Sequence, residues 1–315
     1  MPAVLNRRRF LSLAASASAA SFVPRQMLGQ PAVPDRIAQG RVLAAQTPIT
    51  TTKLAADVYL LQGFGGNMVL QTGLEGNLLI DSSFSTSVQK VVAAISAVSK
   101  YAPHLLINTH WHYDHTDGNE GMHAAGFTIL AHSKTKERLS TTQVVPFFHM
   151  TVLPDPAGSW PTITFDDSKQ FNHNGDSLDL AHFEPAHTDT DIYIRFHNAD
   201  VLHVGDIFFN GSYPFLDESS AGNIGGMITA SEKALALAGA KTKIVPGHGP
   251  LAGKVQLQAY RDMLATVRDR VVKLKTAGAS EQEAVAKKPT ADLDATWGKG
   301  TFNGDVFTGL VYRTV

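Results

Sequence analysis

The stretch Ile107–Asn119, INTHWHYDHTDGN, packs His110, His112, Asp114 and His115 into six consecutive positions. It follows an apolar run, so a short strand is expected over Leu105–Thr109. A solvated polar loop is one reading of the cluster; a metal site is the other. His110 and His112 alternate along a chain leaving a strand, so both can face one ion. Asp114 and His115 are adjacent, so after a turn they can face a second ion beside the first. The rest of the chain decides between the two readings.

Polar residues recur at the ends of other apolar runs. Asp81 follows the strand-like Leu78–Ile80, His187 lies in PAHTDTD, Asp206 follows VLHVG, and His248 ends KTKIVPGH. In stacked sheets the ends of neighbouring strands converge on one edge. Five separate stretches supplying only His and Asp at that edge point to one site. Neutral imidazole and carboxylate suit zinc and iron, and a carboxylate can bridge two ions. Asp206 is placed to bridge, with His187 and His248 completing one ion each. The absence of Cys removes thiolate from the ligand set. Two ions about 3.5–4 Å apart clamp a hydroxide and a developing oxyanion together, with bound water at a pKa of about 7.

The flanking sequence supplies the frame. ADVYLLQGFGGNMVLQTGLEGNLLIDSS alternates apolar and polar residues between glycines, as hairpin strands do. Val88, Val91, Val92, Ile95 and Val98 recur at helical spacing, with Ser85 or Ser87 available as a cap. A helix over Asn119–Ala125 and a strand over Phe127–Ala131 follow. The second half repeats this order: strands in DSLDLAHFEPA and DIYIRFHNADVLHVGD, a helix over Ile228–Ala238, and the buried strand before His248. A long helix runs from Lys254 to Lys275 with the stripe Leu257, Tyr260, Leu264, Val267, Val271 and Leu274, and Gly278 suits its end. Two sheets that each need helical cover on one face make an α/β fold, a four-layer αββα sandwich. Pro146–Gly175, rich in Pro, Gly and Asp, reads as a loop and hairpin between the halves and a wall for the site.

His110-x-His112-x-Asp114-His115, followed in order by His187, Asp206 and His248, resembles the metallo-β-lactamase fold hydrolase superfamily, with Asp81 at the end of LLID resembling its first motif. The resemblance spans about residues 50–275. It implies one ion on His110, His112 and His187, a second on Asp114, His115 and His248, Asp206 bridging, and Asp81 supporting the ligand loop rather than ligating. It implies two zinc ions, iron being the alternative metal. Zinc β-lactamases of this fold typically carry Cys or Ser at the position of Asp206. The aspartate is therefore more like the thioesterases, lactonases and phosphodiesterases of the superfamily.

The implied reaction is hydrolysis, in which a metal-bridging hydroxide attacks the carbonyl carbon of an ester, lactone, thioester or amide, a β-lactam included. Asp114 and Asp206 are the catalytic carboxylates, Asp114 orienting the nucleophile and carrying a proton. A mononuclear iron oxidoreductase similar to the persulfide dioxygenases shares the motif order and is the alternative. A metal-carrying module without activity is the third reading, against which the complete ligand set speaks.

Gly63–Asn67, GFGGN, lacks the Lys-Ser/Thr of a phosphate loop and reads as a hairpin loop, by resemblance one that overhangs the site. Phe64, Asn67, Trp160 and Tyr213 are the candidate substrate contacts. His203 and His182 fall within strands, while His104, His123, His132, His173 and His197 look like surface or loop residues. His149 lies in the Pro146–Gly175 loop. The C-terminal Trp297, Phe302, Phe307 and Tyr312 pack back onto the domain or form a dimer contact, and the oligomeric state is left open.

At the N-terminus, Arg7-Arg8-Arg9-Phe10-Leu11 precedes a weakly apolar Ala/Ser-rich run, which resembles a bacterial twin-arginine export signal. Residues 1–40 are read as signal and spacer and 41–315 as the hydrolase domain, exported to the periplasm after transient contact with the export machinery. A net charge of −1 argues against nucleic acid as a partner, and no apolar run reaches spanning length, so no stable membrane anchor is expected. The expected partner is a small-molecule substrate.

Overall fold

Successive side chains of a strand point to opposite faces of its sheet, and this sorts the core into layers. In the computed structural model, which describes residues 35–315, the first sheet holds β1 (Thr50–Lys53), β2 (Val58–Gln62), β3 (Met68–Gln71), β4 (Asn77–Ile80), β5 (Pro103–Ile107) and β6 (Thr128–His132) in that order. A small hairpin of β7 (Gln143–Val145) and β8 (Met150–Val152) precedes β9 (Ile163–Phe165), which adds beyond β6. The second sheet runs β10 (Ser168–His173), β11 (Asp176–His182), β12 (Ile192–Phe196), β13 (Val201–His203) and β14 (Lys243–Val245). Leu78 and Ile80 of β4 and Leu105 and Ile107 of β5 meet Leu180, Ile192, Ile194 and Phe196 between the sheets. The alternate residues, Leu79 and Leu106, face outward onto helix residues.

Helices cover both outer faces. After α1 (Arg36–Gln46) comes α2 (Val88–Val98), whose Val88, Val91 and Ile95 pack on the first sheet. Next come α3 (Tyr113–Thr116), α4 (Asn119–Ala124) and α5 (Ser133–Ser140). On the second sheet lie α6 (Ile224–Leu237) and α7 (Lys254–Thr276), followed by α8 (Glu281–Ala286), α9 (Asp294–Trp297) and α10 (Gly304–Thr314). Leu257, Tyr260, Leu264, Val267 and Val271 of α7 are buried there, each side chain contributing about 1.5–3 kcal/mol. Gly278 ends this helix at φ +87°. The expected αββα sandwich is the observed fold. Trp297, Phe302 and Phe307 are buried in the same cluster and Tyr312 packs against it.

The topology explains why the polar strand ends meet. β4, β5 and β6 are mutually parallel, as are β13 and β14. The chain therefore leaves β4 into Asp81 and β5 into the His110–His115 loop on one edge of the first sheet. It leaves β13 toward Asp206 and β14 toward His248 in the second. The main-chain N–H of Ile192 donates to Thr109 O, and that of Asn67 to Gly247 O, so the sheets are stitched together at this edge.

Several local expectations shift. A turn of 3-10 helix at Ser85–Ser87 leads into α2, and the Ser87 hydroxyl is buried without a partner rather than capping. α6 begins at Ile224, earlier than Ile228, because Asn223 Oδ1 accepts from Gly226 N at 2.7 Å and caps the helix there. Pro146–Gly175 is more than a loop and hairpin, since it carries β8, β9 and the whole of β10 and so passes the chain from one sheet to the other. His132 and His173 are buried rather than exposed, His132 stacked on His182 and His173 on His104. α1 begins within the stretch assigned to the spacer, and Asp35–Val315 is one compact unit. The stretch Arg7–Leu11, expected to be an export signal, lies outside the described residues. Among the described residues no helix is long and apolar enough to cross a membrane.

Candidate metal centre

The strand ends bring the sequence-predicted ligands into two adjoining groups. Ligand atoms of His110, His112, His187 and Asp206 lie within 4.8 Å of one another, as do those of Asp114, His115 and His248. Asp206 joins the groups. Its Oδ2 lies 3.3 Å from His187 Nε2 and 3.3 Å from His248 Nε2, and its Oδ1 lies 3.1 Å from His115 Nε2. His112 Nδ1 and His187 Nε2 face each other at 2.9 Å. Asp114 Oδ2 lies 3.2 Å from His248 Nε2.

Close approach at this edge depends on glycine. A Cβ on Gly66 would stand 2.2 Å from His115 Cε1, and one on Gly247 would stand 1.9 Å from Asp206 Oδ1. The GFGGN hairpin between β2 and β3 and the turn before His248 are thus pressed against the ligands themselves.

Outward hydrogen bonds aim the rings. His110 Nδ1 donates to Thr109 Oγ1 at 3.0 Å, and that hydroxyl donates to Asp81 Oδ2 at 2.8 Å. His115 Nδ1 donates to Asp81 Oδ2 at 2.7 Å, and His187 Nδ1 to Phe215 O at 2.9 Å. His112 is turned the other way, its Nε2 donating to Asp217 Oδ2 at 3.0 Å. Each of these four rings keeps its other nitrogen for the centre, the arrangement that fixes tautomer and orientation at metal sites. Asp81 holds its place at φ +61°, a conformation that aspartate tolerates better than most residues, and also accepts from Thr109 N.

Electrostatics of the protein alone show what the centre lacks. Burial, with the charge of His115, pushes His110 well below its ordinary pKa, and burial takes His187 down to about 4. Burial opposes charge on Asp206 too, but His248, His115, His187 and His110 outweigh it and hold the carboxyl well below its usual range. For His248 burial is likewise outweighed, by Asp206 and Asp114, and its pKa rises to about 10. His110 Nε2 is buried with no hydrogen-bond partner. A neutral, orphaned imidazole nitrogen beside an ionised carboxylate fits a divalent cation as the missing partner, and the His/Asp donor set fits zinc or iron.

The remaining candidates divide. Phe64 lines the cavity of about 520 Å³ above the centre, and so does Tyr213, although the Tyr213 hydroxyl donates to Asp294 Oδ1 at 2.9 Å and is spent there. Asn67 is buried and does not line the cavity. Its Nδ2 donates to Pro246 O and Gly249 O, both at 2.9 Å, so it braces the His248 turn from either side. Trp160 does not line the cavity either; its Nε1 donates to Asp155 O. His149 is likewise not among the lining residues, whereas Phe148 and Met150 beside it are. His203 is structural, bonding Asn67 O and Gly205 N.

Two supporting carboxylates escaped the sequence reading. Asp217 receives His112, Ser219 and Ser220, and Asp191 receives the main-chain N–H groups of His187 and Thr188 together with the Thr188 hydroxyl. Asp191 stands four residues beyond His187 in AHTDTD, a spacing from which a carboxylate can cap its own turn. Nothing local in PFLDESS marks Asp217.

Comparison with known proteins agrees with this geometry. A sequence profile described as Metallo-beta-lactamase superfamily matches residues 61–249. No curated protein sequence matches the chain. Among solved structures, a metallo-β-lactamase from Pontibacter korlensis is similar at a TM-score of 0.56 and 17% identity, over 69% of this chain and 99% of that one. The inverting sec-alkylsulfatase Pisa1 from Pseudomonas sp. is similar at 0.66 and 16%, over 88% of this chain but 51% of that one, so the present chain spans about half its length. DIM-1 metallo-β-lactamase is similar at 0.56 and 14%, over 70% of this chain and 99% of that one. At these identities the likeness is one of fold.

Proposed function

This chain belongs to the metallo-β-lactamase superfamily, and from that premise we propose that it is a dinuclear zinc hydrolase acting on a carbonyl ester, lactone, thioester or amide. The observation that carries the proposal is the pairing of two ligand groups through Asp206 at the floor of an open cavity. His110, His112 and His187 would hold one ion, Asp114, His115 and His248 the other, and Asp206 both. Two zinc ions in such a site supply hydroxide at neutral pH and polarise a carbonyl oxygen.

The protein's own groups do the rest. Asp81, Thr109, Asp217 and Phe215 O hold the rings in one orientation, so no reorganisation is needed when charge develops. The Asp114 side chain is 22% exposed against 4% for Asp206. Asp114 is therefore the carboxylate open to the cavity, suited to orient a nucleophile and take its proton. The aromatic residues over the centre, Trp111, Phe209 and Phe215 among them, exclude water from the reacting end.

Metal analysis of protein purified without chelator tests the proposal, together with assay of an ester, a lactone, a thioester and a β-lactam. Two zinc ions per chain with turnover of one of these bonds is the expected result. Asp206→Ala loses metal and nearly all activity. One iron per chain with oxygen uptake on a persulfide would replace the hydrolase by the oxidoreductase. Export is part of the proposal and is supported by the Arg7-Arg8-x-Phe10-Leu11 sequence. Replacing Arg7 and Arg8 by Lys is expected to keep the protein out of the periplasmic fraction.

A further inference from the structure

The cavity over the metal centre is walled in part by elements outside residues 61–249, the stretch that matches the superfamily profile. One is α1, which contributes Gln39, Gly40 and Leu43; the other is the segment Gly300–Phe302 that leads into α10. α1 is firmly mounted. Arg41 pairs with Asp117 three residues beyond the ligand Asp114, and its carbonyl accepts from Thr86 Oγ1. Lys90 of α2 donates to the carbonyls of Ala44, Ala45 and Thr47 at the C-terminal end of α1. Gly40 lies so close to the Phe84 ring that a Cβ there would overlap it.

From the ligand rings an aromatic track leads outward. Phe209 stacks on His248 with centroids 5.0 Å apart, and Phe215 lies 6.0 Å from His112. Phe215 touches Phe148 at 4.8 Å and stacks with Phe302 at 5.7 Å. Among the described residues that line the cavity the one Lys or Arg is Arg36, whose guanidinium sits 4.3 Å over the Phe148 ring. An alkyl chain would find aromatic wall from Phe215 to Phe302 and Phe148, with the Arg36 guanidinium capping the Phe148 face, in a cavity of a size that suits a drug-sized ligand.

We propose that α1 and the Gly300–Phe302 segment close the site into a largely apolar trough that selects esters or thioesters with a medium- or long-chain acyl group, laid along Phe215, Phe148 and Phe302. This rests on the hydrolase reading above. Each buried methylene then strengthens binding by about threefold to fourfold until the trough is full.

The test pairs turnover with binding, both on the zinc-loaded protein. Rates on p-nitrophenyl acetate, butyrate, hexanoate and octanoate are expected to show kcat/KM rising steeply with chain length. Phe148→Ala, at the partly exposed rim, and Phe302→Ala are expected to lower the octanoate rate about tenfold and the acetate rate far less. Affinities of primary alcohols from butanol to decanol, read by displacement of a fluorescent probe, are expected to rise along the same series and to flatten in both variants. Alcohol affinities that do not depend on chain length overturn the trough, whatever the turnover. A dependence that both variants leave untouched overturns its assignment to these walls. Steep alcohol binding without hydrolysis of any ester, thioester, lactone or β-lactam supports the trough and refutes the hydrolase reading instead.

Discussion

Asp217→Asn is the substitution that most directly tests how the centre is held. The His112 side chain is 11% exposed and that of Asp217 1%, so their 3.0 Å bond is sheltered from water. Burial opposes charge on Asp217, but the bonds from His112, Ser219 and Ser220 outweigh it and keep the carboxylate ionised well below its usual range. A hydrogen bond to a buried charge contributes about 1.5–3 kcal/mol. Asparagine keeps the shape and one acceptor oxygen but removes the charge, and its amide competes for the imidazole side. His112 Nδ1 then loses basicity and orientation toward the ion that we propose it shares with His110, His187 and Asp206. Loss of such a support typically lowers metal affinity about 10- to 100-fold. Zinc competition against a chromophoric chelator reads both ions separately. The expected result is one weakened ion, the one on His112, with the Asp114, His115 and His248 ion unchanged and native far-UV circular dichroism. Two ions bound with native affinity would refute the argument that Asp217 aims His112.

Three further outcomes follow from the same geometry. In the metal-free protein His248 keeps its proton up to about 10, above an ordinary value of 6.5, and must shed it to ligate, so metal affinity rises with pH across that window. Calorimetry in buffers of different ionisation enthalpy is expected to show proton release at about pH 7.5, and none would refute the assignment. The same raised value stabilises the metal-free fold fully below pH 6.5, and the contribution disappears as pH rises through about 10. Gly66→Ala puts a methyl 2.2 Å from His115 Cε1 and is expected to cut metal content toward the ion that does not use His115; full occupancy of both would contradict the close approach. Leu264→Ala, at a fully buried position of α7, is expected to lower stability by about 2–5 kcal/mol in urea titration with activity retained, whereas a loss below about 1 kcal/mol would show that the helix does not anchor the second sheet.

Much of the centre was legible before any tertiary contact was known. His110, His112, Asp114 and His115 announce themselves by spacing, and Asp81, Asp206 and His248 by following apolar runs. The continuous apolar runs in LLID and LLINTH mark strands buried on both faces, and 3.6-residue spacing set the buried face of α7. The readings that shifted were those resting on one residue's type. Asn67 is buried outside the cavity and donates to the protein itself, whereas Tyr213 lines the cavity as aromatic wall with its hydroxyl spent on Asp294. His132 and His173 are polar and still buried, because each stacks on a second histidine and finds an acceptor. α1 was hidden by its place next to the signal-like segment, and its apolar face is too weak to stand out in sequence.

The sequence by itself determined the ligand chemistry and the layered frame, because both are written in periods and spacings of a few residues that act through the local backbone. Only the tertiary structure decided which atoms aim the ligands and what walls the cavity. The bond from His112 to Asp217 spans 105 residues and that from Asn67 to Gly249 182, and the wall formed by α1 and Phe302 joins the two ends of the described chain. Such pairings have no local signature; they exist because parallel strands from two sheets end at one edge and the packed layers hold that edge closed.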